Sequence, residues 1–200
     1  MSISPAIILI SKNSVPLSGN HYERGHLPDA TPAICLSTEK FADIAEFFED
    51  RLGNFLQTSL IFASSESAYT SGVDATQRTE TLKKAFIEIF KDTEGEIGFK
   101  TIDNPLPQIE NLEDAKNLSS ISPYVLVKKA HLLNEDALKK LKALPDVEII
   151  DHGNFYEISF SKNPFGKTLF TEEKENSIPK GNKLDLYYSS IRKAINETTI

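Results

Sequence analysis

Ala6-Ile7-Ile8-Leu9-Ile10 is the stretch that most limits how this chain folds. Three of its five residues are β-branched isoleucines, which lose rotamer freedom in a helix and pack well on a pleated surface. The run shows no alternation of apolar and polar residues, so it predicts a strand buried on both faces, as in a parallel sheet. It breaks abruptly into Ser11-Lys12-Asn13-Ser14, a polar loop at the carboxyl end of the strand. Ligands of open parallel sheets bind beyond strand carboxyl ends, which directs the search for chemistry to residues 11–26.

The chain then predicts an alternation of helices and strands. After a polar loop through Tyr22-Glu23-Arg24-Gly25-His26-Leu27-Pro28-Asp29, the apolar positions Phe41, Ile44, Ala45, Phe47 and Phe48 predict a helix over 38–52, capped by Ser37 and stopped at Gly53. Leu60 to Ala63 reads as a second buried strand, followed by the small polar loop Ser64-Ser65-Glu66-Ser67. A capping box at Asp74 to Gln77 opens a helix to about Lys91, with Leu82, Ala85, Phe86, Ile89 and Phe90 on its apolar face. Ile97 and Phe99 suggest a short strand before a turn at Asn104-Pro105-Leu106-Pro107, and Tyr124 to Val127 a clear one. A helix over 135–144 is capped by Asn134 and stopped by Pro145. Strands at 147–150 and 155–160 flank Asp151-His152-Gly153-Asn154, a hairpin signal that predicts an antiparallel edge. The expected fold is α/β, a three-layer α/β/α sandwich with a mostly parallel sheet, over residues 1–160. Residues 161–200 form a polar C-terminal extension, with a short helix expected from Leu184 to Ile195.

The balance of charges narrows the partners. A net charge of −7 and a pI near 5.2 argue against nucleic acid and anionic membranes, both of which select a basic face. Cys35 is the only cysteine, so no intramolecular disulfide forms, and a buried apolar role is expected for it. The absence of a signal-peptide pattern and of a long apolar run leads to the expectation of a cytoplasmic protein, with non-classical export left open. Neither a cofactor nor a metal is expected. His21 and His26 lack a third ligand nearby, Ser64-Ser65 lacks a nucleophile elbow, and Gly166-Lys167-Thr168 lacks the first glycine of a phosphate loop.

The order of short strand, polar loop, Arg/Gly/Asp segment with a proline, and Leu-Ser opening a helix resembles the histidine phosphatase (phosphoglycerate mutase-like) superfamily. Where that family has Arg-His-Gly, this chain has Ser11-Lys12-Asn13. The resemblance implies a phosphorylated histidine at the Lys12 position, and an ordinary lysine, titrating near ~10.4, is charged and non-nucleophilic. Near the family's second histidine the chain has Lys128-Lys129-Ala130-His131, with His131 two positions out of register. The resemblance therefore implies a catalytically degenerate member, acting as a non-catalytic interaction or phosphate/anion-binding module. Lys12, Arg24, His26, Lys128, Lys129 and His131 are its candidate anion-binding residues, and a phosphorylated small molecule or a protein its candidate partner. Two alternatives are an active phosphatase using His26 or His131, and a nuclease. Glu23-Arg24-Gly25-His26 is similar to the Asp-Arg-Gly-His motif of the ββα-metal nucleases, with Asn54 the nearest downstream asparagine.

Overall fold

The structure is a computed structural model that describes residues 6–38, 41–63, 75–101, 108–119, 122–131, 135–144, 147–160 and 164–165. Its strands are β1 (Ala6–Ser11), β2 (Tyr22–His26), β3 (Pro32–Thr38), β4 (Phe41–Leu52), β5 (Leu56–Phe62), β6 (Gly95–Thr101), β7 (Tyr124–Lys128), β8 (Glu148–Asp151) and β9 (Phe155–Ser159). They form one nine-stranded sheet in the order β2-β3-β4-β5-β1-β6-β7-β9-β8. Helices α1 (Ala75–Asp92), α2 (Leu112–Ser119) and α3 (Glu135–Lys142) pack on it, and a single 3-10 turn spans Lys129–His131.

Every strand pairing is antiparallel. This corrects the mostly parallel sandwich and, with it, the histidine phosphatase and phosphoglycerate mutase-like expectation. β1 is an inner strand, but β5 and β6 flank it in the opposite direction. Its unbroken apolar run reflects cover on both faces rather than parallel pairing. Ile7 and Leu9 enter the core beneath α1, with Leu82, Phe86 and Phe90, while Ile8 and Ile10 enter a second core with Ala115 of α2 and Leu141 of α3.

The helix expected over 38–52 is the strand β4. Phe41, Ile44, Ala45 and Phe48 match a helical period, but partners on either side decided the outcome. Ala45 and Phe47 turn into the α1 core while Ile44 and Phe48 point to the other face, and the strand's backbone groups pair with β3 along its first half and β5 along its second. Gly53, read as a helix stop, adopts φ 67° in the β4–β5 turn. The stretches around Tyr22–His26 and Pro32–Thr38, read as loop, are strands joined through Ala30 at φ 68°.

α1 lies where the pattern put it, and two glycines of β6 let it approach. A Cβ on Gly98 would come within 2.6 Å of Phe86 Cζ, and one on Gly95 within 2.5 Å of the Phe90 ring. The helix stops at Glu94, at φ 52°, whose N–H donates to Lys91 O. α2 went unread, although Asn111 Oδ1 caps it by accepting from the N–H groups of Glu113 and Asp114. The tail helix at Leu184–Ile195, the caps Asp74 and Asn134, the Ser64-Ser65 loop, the Pro105 turn and Gly166-Lys167-Thr168 lie outside the described residues. Among the described residues no helix is long and apolar enough to cross a membrane.

Candidate functional site

β1 and β7 both run against β6, so their carboxyl ends open on the same edge of the sheet. Lys12, Lys128, Lys129 and His131 therefore gather there. Arg24 and His26 do not. They belong to β2, six strand steps from β7, or about 29 Å at ~4.8 Å per step. Arg24 instead ties down the β1–β2 loop: its Nη1 donates to Val15 O at 2.7 Å and lies 3.6 Å from Glu49, with the guanidinium over the Phe47 ring. His26 is exposed at the end of β2.

The cations that do gather are already paired. Lys12 Nζ lies 3.5 Å from Glu94, and Lys129 Nζ 2.7 Å from Asp151. Lys128 Nζ and His131 Nε2 each lie 2.7 Å from Glu96. Burial alone would raise the Glu96 carboxyl, but its bonds to Lys128 and His131 outweigh that and hold it below its usual range. The bond from Lys129, reinforced by the Gly153 N–H, likewise lowers Asp151. Sequence inspection saw the lysines and missed the carboxylates opposite them, which come from a different strand and turn.

A cleft of about 380 Å³ sits beside this edge, lined by Phe90, Lys91, Glu94, Lys128, His152 and Phe155 among others. The His152 ring stacks on Phe155, 4.7 Å between centroids at 12°. Among the described residues no carboxylate pairs with Lys91, whose amine lies 5.9 Å from the Phe155 ring centre. Beneath the cleft, the buried Glu157 accepts from Lys83 at 2.8 Å and Tyr124 at 3.0 Å, and lies 2.9 Å from His152 Nε2. The signal was legible, since Glu157 is the one charged residue of β9 and stands at an inward position.

A different surface is left open by the fold. The register puts Cys35, Ile44, Phe48 and Phe62 on the sheet face opposite α1. α2 and α3 cover this face over β1 and β5 and as far as Leu52 at the end of β4, while the middle of β4 stays exposed. Ile44 is 56% exposed and Phe48 44%, with Phe48 set edge-on to Phe62 at 5.9 Å. Phe55, at the tip of the same β4–β5 hairpin, is 86% exposed. Glu23, Glu46 and Asp50 stand on this face, all exposed. Read as one aromatic stripe, Phe41, Phe47, Phe48 and Phe55 are expected in the core, but along a strand Phe47 and Phe48 turn to opposite faces and Phe55 lies at the hairpin tip. Of these, Phe47 is in the core, and nothing is described of the Phe41 side chain.

Among the described residues no three of His, Cys, Asp and Glu are grouped to hold a metal. No family model matches the chain, and no curated protein does. A solved structure, that of the Pseudomonas aeruginosa T6SS protein PA0821, is similar at 11% identity, covering 96% of this chain and 72% of that one, with a TM-score of 0.49.

Proposed function

We propose that this chain is a non-catalytic interaction module that receives a protein partner on the uncovered face of β3, β4 and β5. The observation that carries this is the exposure of Ile44 and Phe48 on one face of β4, on either side of Glu46, with half-buried Cys35 on β3 and Phe62 on β5 beside them. Several large apolar side chains exposed together among polar ones on one face are a mark of a protein contact site, and leaving them in water is unfavourable. Titrating the full chain with amphipathic peptides of Leu/Lys and Leu/Glu pattern, followed by backbone amide NMR, tests the reading. Shifts are expected at Cys35, Ile44, Phe48 and Phe62, and they should vanish in Phe48→Asp. Shifts confined to other regions, or none with either peptide, would overturn it.

A second reading is favoured by Lys91, without a carboxylate partner among the described residues, in the lining of an aromatic-walled cleft that suits a small anion such as phosphate or a carboxylate. Lys91 and Lys128 would supply the amines, with Glu94 opposing. Inorganic phosphate should then shift the amides of Gly95 and Asn154, an effect abolished by Lys91→Ala and retained in Lys129→Ala. Equal responses in both variants would refute it.

A further inference from the structure

The chemistry of the partner can be read from the charges that stand on the open face. By strand register this face collects, from β2 to β5, Glu23, Gly25, Ala33, Cys35, Ser37, Ala42, Ile44, Glu46, Phe48 and Asp50 together with the inner residues of β5. Three of these are acids and none is a base. Arg24 and Arg51, the basic residues of β2 and β4, fall on the opposite face by the same alternation, in register with Ile34 and Gln57. Several carboxylates elsewhere among the described residues are matched, as Glu88 is by His21, Glu94 by Lys12 and Glu96 by Lys128. Among the described residues no such ion pair engages Glu23, Glu46 or Asp50. Carboxylates interleaved with the exposed apolar side chains, Glu46 standing between Ile44 and Phe48, on a chain of net charge −7, repel acidic surfaces and draw basic ones.

We infer that the partner docked on this face is cationic: a protein segment presenting apolar side chains for Ile44, Phe48 and Phe62, with lysines or arginines placed to meet Glu23, Glu46 and Asp50. This inference rests on the docking reading above and specifies its partner. The apolar centre supplies most of the adhesion. The carboxylates supply selectivity and speed encounter, since surface charges act mainly on orientation and association rate. A second copy of this chain is disfavoured, because two-fold pairing of the face would bring like charges together.

The test compares Leu/Lys and Leu/Glu peptides of identical pattern on the full chain at moderate salt. The Leu/Lys peptide should bind about tenfold tighter, the worth of three solvent-exposed ion pairs. The preference should shrink as salt is raised, and should reverse in the combined Glu23→Lys, Glu46→Lys, Asp50→Lys variant. Should that variant fail to fold, the salt dependence of the wild-type preference decides alone. Equal affinity of both peptides for the strip would leave the docking reading intact and overturn the cationic partner; failure of both would remove the docking reading itself. Concentration-dependent dimerisation through Phe48, or release of the strip on deleting residues 166–200, would assign it to a second copy or to the chain's own tail and likewise overturn the inference.

Discussion

Glu157→Ala is expected to lower stability by about 3–5 kcal/mol, the usual cost of removing one partner from a buried ionic cluster. The Glu157 side chain is 3% exposed and engages the Lys83 amine, the Tyr124 hydroxyl and the His152 ring. Without it a largely buried ammonium and a buried phenol lose their acceptor together. Each kilocalorie shifts the melting temperature of a domain this size by about 2–4 °C, so a fall of about 10 °C should be seen by calorimetry. The pH dependence carries a signature of its own. Burial alone would raise the Glu157 carboxyl, yet Lys83 and His152 outweigh it and hold it below its ordinary 4.5. Its contribution is therefore fully present above pH 4.5 and is lost as pH falls through the lowered folded value. Wild type should weaken faster than Glu157→Ala over that acid range. A cost under about 1 kcal/mol, or parallel acid profiles, would show that the cluster is not a stabilising unit.

Phe86→Ala should cost a similar ~3–5 kcal/mol, for an unrelated reason. The ring is fully buried, tilted against Tyr124 at 6.0 Å, and fills the space that Gly98 leaves on β6. Truncation opens a cavity at the centre of the α1 core that neighbouring strands, held by ladders on both sides, cannot close. Gly98→Ala alone should cost about 1–3 kcal/mol by overpacking, because its Cβ meets a buried ring rather than a movable chain end. In a Phe86→Leu background that cost should fall, since the residues share one space. Strict additivity in chemical denaturation would contradict this packing.

What was legible followed from local pattern alone. α1 was plain because Leu82, Ala85, Phe86, Ile89 and Phe90 form one stripe long enough to exclude a strand. The β8–β9 hairpin was plain because its turn and its strands agree. Strand direction was not legible at β1, where burial on both faces looks the same for either pairing. β4 was misread because its apolar residues serve two faces, one buried and one open, and a pattern with no single polar side mimics a helix. The gathering of Lys12, Lys128, Lys129 and His131 at one edge follows from strand carboxyl ends, which antiparallel pairing through β6 also brings together. Their neutralisation by Glu94, Glu96 and Asp151 depends on register and turn placement, which no spacing along the chain encodes.

The central claim is that the face of β3 and β4 opposite α1 lies open to a partner, and Cys35 reports on it directly. As the sole cysteine, half-buried on that face beside Ile44, it can be alkylated without altering another thiol. The rate of its modification in the 200-residue chain, free and then saturated with the Leu/Lys peptide, is the decisive measurement. Ready modification in the free chain and strong protection by the peptide are the predicted result. A thiol that resists modification until denaturant is added would mean that the face is already covered, and would contradict the account.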